Sequence, residues 1–139
     1  MFSINSFSDL DKISHAAKWQ YFEKLTAFIF DQNGFETMQN VIVKSKATKR
    51  QFDVIAKDNK KTFLIECKKW KSRKEINSSI KSATKKHIER CAFYSEINKK
   101  ENVIPLVVTL SETETIEHKG VNIVPIMKLN SFLQEFDYL

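Results

Sequence analysis

Two short apolar runs, Gln51 to Lys57 and Thr62 to Lys68, stand four residues apart, and each alternates with the period of two that a strand uses. The residues between them, Asp58-Asn59-Lys60-Lys61, have turn chemistry, so the pair reads as a hairpin. In the second run Thr62, Leu64, Glu66 and Lys68 share one face, while Phe63, Ile65 and Cys67 share the other. In the first run Phe52, Val54 and Ala56 are expected on the core side, which leaves Gln51, Asp53 and Ile55 opposite. A hairpin register then brings Asp53 beside Glu66.

The remaining elements build outward from this hairpin. Tyr21, Phe22, Leu25, Phe28 and Ile29 recur at helical spacing within Ile13 to Gln32, and Asn33-Gly34 ends that helix. Phe35 to Lys44 is a strand candidate, and Ser45 to Arg50 reads as a basic, polar connection. Glu75 to Asn98 is the longest helical pattern, with Ile76, Ile80, Ala83, His87, Cys91 and Tyr94 along one stripe. Val103 to Leu110 reads as a buried strand, Ser111 to Gly120 as an acidic loop, Val121 to Pro125 as a short strand and Lys128 to Phe136 as a terminal helix. The order α-β-β-β-α-β-β-α predicts an α/β fold, a mixed sheet flanked by helices.

With 139 residues and no linker rich in Gly, Pro or Ser, one domain over residues 1–139 is expected, preceded by an arm over 1–12. The 42% hydrophobic content and 11 Phe exclude a disordered chain, and 2 Gly with 2 Pro exclude low-complexity architectures. Neither a secretory leader nor an 18-residue apolar stretch is evident, so a cytoplasmic protein without membrane partners is expected, with Cys67 and Cys91 as reduced core thiols.

The basic surplus is local. Residues 44–74 hold twelve Lys/Arg against three Asp/Glu, whereas residues 1–43 are net −2 and residues 101–139 are acidic. A polyphosphate partner requires such a field, because each neutralised phosphate releases counterions, although a lysine-rich solvated surface would look the same on charge alone.

Asp53 and Glu66 are the residues that carry chemistry. Side by side, two carboxylates repel and raise each other's pKa; a hard cation such as Mg²⁺ relieves that cost and takes oxygen ligands. The plainer alternative is a half-exposed hairpin whose acids pair with neighbouring lysines, yet Asp and Glu are disfavoured in strands.

An Asp on one strand followed by Glu-x-Lys at the end of the next resembles the PD-(D/E)xK restriction-endonuclease-like nucleases. Here Phe52-Asp53 stands in place of Pro-Asp, and Glu66-Cys67-Lys68-Lys69-Trp70 is similar to the Mrr-like form of the motif, which often has Gln in place of Glu66. Trp19-Gln20-Tyr21-Phe22-Glu23 with Asn33-Gly34-Phe35 resembles the glutamate-bearing first helix and Gly-Phe exit of Mrr-like and archaeal Holliday-junction-resolvase-like branches. The resemblance covers about residues 16 to 136. It implies the restriction-endonuclease-like αβββαβ core, with Asp53, Glu66 and the Cys67 backbone carbonyl holding Mg²⁺, for which Mn²⁺ would substitute. Lys68 would orient the attacking water and offset charge on the scissile phosphate, and Glu23 would act through water on the metal or as a base behind it.

Lys44, Lys46, Lys49, Arg50, Lys69, Lys71 and Arg73 are candidate DNA backbone contacts. Lys85, on the polar side of the long helix, either reaches a phosphate or is solvated, and Trp70 either stacks on a base or sugar or caps the core. His87 lies in the apolar stripe and is expected to be a satisfied helix histidine. The expected function is a Mg²⁺-dependent endodeoxyribonuclease of low sequence specificity, working as a homodimer or with a partner protein that supplies specificity. A Holliday-junction resolvase and a non-catalytic nucleic-acid-binding module are the alternatives. The resolvase reading lacks the serine and glycine loop before the Asp, where Lys46-Ala47-Thr48-Lys49-Arg50 stands. Phe2, Phe7, Phe136, Tyr138 and Leu139 are candidate interface residues.

Overall fold

The computed structural model of the chain describes residues 19–100 and 102–136. The arm over 1–12, the helix start expected at Ile13, and Phe2, Phe7, Tyr138 and Leu139 lie outside these residues. The described elements are α1 (Trp19–Gln32), β1 (Glu36–Ser45), β2 (Thr48–Lys57), β3 (Thr62–Lys68), α2 (Arg73–Asn98), β4 (Val103–Thr109), β5 (Ile116–His118), β6 (Val121–Pro125) and α3 (Ile126–Glu135). They form one mixed sheet in the order β1-β2-β3-β4-β6-β5. Strands β1, β2 and β3 are antiparallel neighbours; β4 joins β3 in parallel and β6 joins β4 in parallel. A parallel step needs a crossover, and α2 supplies the one between β3 and β4.

Local chemistry sets the helix ends. Helix α1 stops in a Schellman motif: the Phe35 N–H donates to the Phe30 carbonyl at 3.1 Å and the Gly34 N–H to the Asp31 carbonyl at 3.1 Å. Gly34 takes φ +87°, where a side chain would be strained whatever the space around it. Phe30 and Phe35 close the motif with an edge-on ring contact, centroids 5.4 Å apart. Helix α2 begins at Arg73, two residues before the expected start, because Ser72 is its cap. The Ser72 hydroxyl accepts from the Glu75 N–H at 3.2 Å, and the Glu75 carboxylate accepts from the Lys71 N–H at 3.1 Å.

Helices α1 and α3 cover one face of the sheet, where Phe22, Leu25 and Phe30 meet Val54, Phe63, Ile65, Leu106, Val108, Leu129 and Leu133. Phe136 packs on this core with its ring 5.1 Å from that of Phe63, so it is core material rather than a free interface residue. On the opposite face Leu64 and Ile55 pack with Cys91 and Tyr94 of α2. The two faces of β3 are as its alternation predicts.

Three expectations are corrected. Ser45 to Arg50 is a continuation of two strands, paired Ser45–Thr48 and Lys44–Lys49 around a two-residue turn in which Lys46 adopts φ +56°. The loop over Ser111 to Gly120 contains β5, an edge strand paired antiparallel with β6. Phe52 does not share a face with Val54 and Ala56: it packs on the α2 side, edge-on to Tyr94 at 5.7 Å. Between the pairs Gln39–Val54 and Val41–Phe52 lie Asn40 and Asp53, and Asn40 takes a left-handed φ of +52°. That local twist turns β2 over just at Asp53.

Candidate active site

The β2–β3 ladder stops at the pair Val54–Ile65. The next register position belongs to Asp53 and Glu66, and there the Asp53 side chain replaces the missing ladder bond. Its Oδ2 accepts from the Cys67 backbone N–H at 2.8 Å. The two strands thus fork at the end of the ladder, with Asp53 on one arm and Glu66 and Lys68 on the other. Glu23 of α1, buried at 7% exposure, shares a side-chain hydrogen bond with Asp53. The sequence-predicted acids Glu23, Asp53 and Glu66 therefore come together from three elements.

Their ionisation follows from this crowding. Burial, then the charge and hydrogen bond of Asp53 and the charge of Glu66, push the Glu23 pKa up to about 7. The Asp53 pKa is also raised, chiefly by burial, although the Cys67 N–H opposes the rise. The Cys67 thiol faces the other side of β3, 3.7 Å from the Thr26 hydroxyl, and burial pushes its pKa well above the usual range, so it is inert core material.

Glu66 is ringed by cations. Lys68 Nζ lies 3.4 Å from its Oε1, and Arg90 Nη2 from α2 lies 2.8 Å from its Oε2. His87, fully buried, donates from Nε2 to the Leu64 carbonyl at 2.8 Å, and its Nδ1 sits 4.0 Å from Glu66 Oε2. Burial pushes the His87 pKa down to about 4, so the ring is neutral. Beside Lys68 in the register, Thr109 joins Ser111 at 2.6 Å, a pair of buried hydroxyls at the end of β4.

Arg90 is the site residue that sequence reasoning missed. It flanks the apolar stripe of α2, next to Cys91 and three residues after His87; a cation at the edge of an apolar stripe was the available signal. Among the described residues no group of three or more His, Cys, Asp or Glu is arranged to hold a metal ion. The oxygens of Glu66 are engaged by Lys68 and Arg90. The donor chemistry nevertheless fits a hard divalent cation: Glu23, Asp53 and Glu66 supply hard oxygen donors, and a cation would relieve the raised pKa values of Glu23 and Asp53. Such an ion would be held by Asp53 and Glu66, with Glu23 behind them.

The basic residues fall into three groups. Lys44, Lys46 and Lys49 stand exposed at the tip of the β1–β2 hairpin, with Lys44 directly opposite Lys49. Like charges facing across a ladder are destabilising unless something offsets them. Lys69, Lys71 and Arg73 are exposed on the segment from the end of β3 to the first turn of α2, and Lys85 is exposed on α2. Arg50 is engaged within the fold: Nε and Nη2 donate to the two Glu89 oxygens at 3.0 and 2.7 Å, and its guanidinium lies 5.4 Å from the Phe93 ring centroid. Trp70 packs against Val107, Val121 and Ile123 and so caps the core.

The model of the Mrr_cat restriction endonuclease family matches residues 14–116, most of the chain. The chain belongs to that family. An uncharacterized protein of Archaeoglobus fulgidus is 27% identical over 121 residues, covering 87% of this chain and 93% of its own length. Among solved structures, the small subunit of the heterodimeric restriction endonuclease R.BspD6I superposes with a TM-score of 0.57 at 13% identity, over 93% of this chain and 76% of that one. A protein of unknown function, AF1548, superposes with a TM-score of 0.50 at 22% identity, over 78% of this chain; the match spans 58% of that protein's length. These likenesses establish the restriction-endonuclease-like fold, and the family establishes a nuclease. No helix among the described residues is long and apolar enough to cross a membrane.

Proposed function

We propose that this Mrr-type nuclease is a divalent-cation-dependent endonuclease that hydrolyses phosphodiester bonds of DNA, using Glu23, Asp53, Glu66 and Lys68. The observation that carries the reading is the fork between β2 and β3, where Asp53, Glu66 and Lys68 stand at the end of a broken ladder with Glu23 of α1 against Asp53. Nothing in the packing of the strands requires acids there, and burying them costs stability, which makes the cluster a candidate functional site.

Bound there, Mg²⁺ or Mn²⁺ would supply a Lewis acid that makes water a nucleophile near neutral pH and offsets charge on the phosphate. Asp53 and Glu66 would hold the ion, with the Cys67 carbonyl as a further oxygen. Lys68 supplies a positive charge fixed beside Glu66, where negative charge develops on the scissile phosphate. Glu23, with a pKa near 7, is poised to take a proton in the neutral range. The Lys44, Lys46 and Lys49 hairpin and the Lys69, Lys71 and Arg73 segment would track the DNA backbone, which implies weak sequence preference.

One such site attacks one strand at a time, so a double-strand break is most simply made by two chains. The structural likeness to a small subunit of a heterodimeric restriction enzyme supports a second polypeptide as partner, and a homodimer would serve equally. The test is incubation of the chain with linear, supercoiled, four-way-junction and methylated DNA under Mg²⁺, Mn²⁺ and chelator. Metal-dependent cleavage is expected; inactivity on every substrate with both metals would overturn the enzyme reading in favour of a binding module.

A further inference from the structure

The acids and strand ends account for Asp53, Glu66 and Lys68, but not for the face of α2 that looks onto them. Thr84, His87 and Arg90, spaced by three residues, each have a buried side-chain atom with no hydrogen-bond partner: Thr84 Oγ1, His87 Nδ1 and Arg90 Nε. Buried polar atoms are almost always paired, so three on one helix face leave hydrogen-bonding capacity unused beside Glu66. Arg90 is the member with access to solvent, its side chain 22% exposed, and its Nη2 is spent on Glu66.

We propose that Arg90 is a positioning residue that couples cation loading to nucleic-acid binding: it holds the Glu66 carboxylate in the free chain and passes to a phosphate oxygen of the bound strand when a cation takes Glu66. This rests on the metal-dependent reading above. Glu66 is balanced in the free chain by Lys68 and Arg90, while Asp53 accepts from the Cys67 N–H. A divalent ion that takes Glu66 must displace at least one of those side chains and leaves its positive charge without its partner in a partly buried place. A phosphodiester brings the negative charge that Arg90 then requires, with its planar fork suited to phosphate oxygens. Each ligand therefore favours the other, and the coupling is reciprocal.

The experiment measures Mn²⁺ binding by electron paramagnetic resonance on the full 139-residue chain, with and without a phosphorothioate duplex, and duplex binding by anisotropy with and without Mn²⁺. The duplex should tighten Mn²⁺ binding about 10- to 100-fold in the wild type. In Arg90→Gln, Mn²⁺ should bind the free chain about 10-fold more tightly, and the duplex should then change its affinity by less than about threefold. Arg90→Lys keeps the charge without the fork and should retain intermediate coupling. Wild-type coupling in Arg90→Gln, or Mn²⁺ affinity of its free chain no higher than in the wild type, overturns the assignment. If the glutamine variant does not fold, full coupling in Arg90→Lys overturns it instead. Mn²⁺ binding that is lost in Asp53→Asn yet indifferent to Arg90 refutes only the role of Arg90. No Mn²⁺ binding by the wild type in either state refutes the metal-dependent reading, and this proposal with it.

Discussion

Glu23→Gln replaces the hydrogen-bonded carboxyl of α1 with an amide that can still donate to Asp53, so it removes the ionisation and keeps the shape. In the folded chain Glu23 holds its proton up to about pH 7, because it is buried against Asp53 and near Glu66, whereas an unfolded Glu loses it near 4.5. The folded state therefore binds more protons than the unfolded state between those values, and this group's contribution to stability falls as pH rises from about 4.5 to about 7. At about 1.36 kcal/mol per pH unit, the loss is at most about 3 kcal/mol. His87 contributes with the opposite sign. Its folded pKa is pushed down to about 4 from the usual 6.5, so the stability it contributes is lost as pH falls through that range. Both proteins share that slope, and it cancels in their difference. Urea unfolding of the two proteins, with chelator present, should show matched stability near pH 4 and a Gln variant more stable by up to about 3 kcal/mol near pH 8. Adding Mg²⁺ should shrink the gap by favouring the ionised acid. A difference that does not vary with pH, or a Gln variant that is the less stable near pH 8, would refute the picture of a desolvated carboxyl pair.

Asp53→Ala, Glu66→Ala and Lys68→Ala should each remain folded and lose about 10²- to 10³-fold or more in cleavage rate, measured on whichever DNA the wild type cuts. Neutralising any one of Lys44, Lys46, Lys49, Lys69, Lys71 or Arg73 should reduce the log-log salt slope of duplex binding by about 0.9, whereas Arg50→Ala should leave that slope nearly unchanged, because Glu89 and Phe93 already engage the guanidinium. A flat salt titration would show the lysines to be solvated surface. Sedimentation at micromolar concentration, with and without DNA, should detect a dimer or a requirement for a partner chain; a strict monomer that still makes double-strand breaks would refute the two-chain argument.

Several features of this protein are legible in the chain alone, because they depend on periodicity and on chemistry within a few residues. The two faces of β3, the Asn33-Gly34 exit from α1, the buried stripe of α2 from Ile76 to Tyr94 and the bounds of β6 are of this kind. That Asp53 and Glu66 fall at the same register position, one step beyond the last β2–β3 pair, was legible too, since a short turn leaves few registers open. Alternation fails where the backbone turns over. Phe52 reached the other face because Asn40, on a different strand, takes a left-handed conformation opposite Asp53, and nothing local to Phe52 records this. Strand β5 is only three residues long and exists because β6 offers it an edge. Nothing local to Arg50 or Arg90 tells their partners: one is bound by Glu89, 39 residues away along the chain, and the other reaches Glu66, 24 residues away. Which acid a long side chain meets is decided by how α2 lies across the sheet, and that packing is a property of the whole fold.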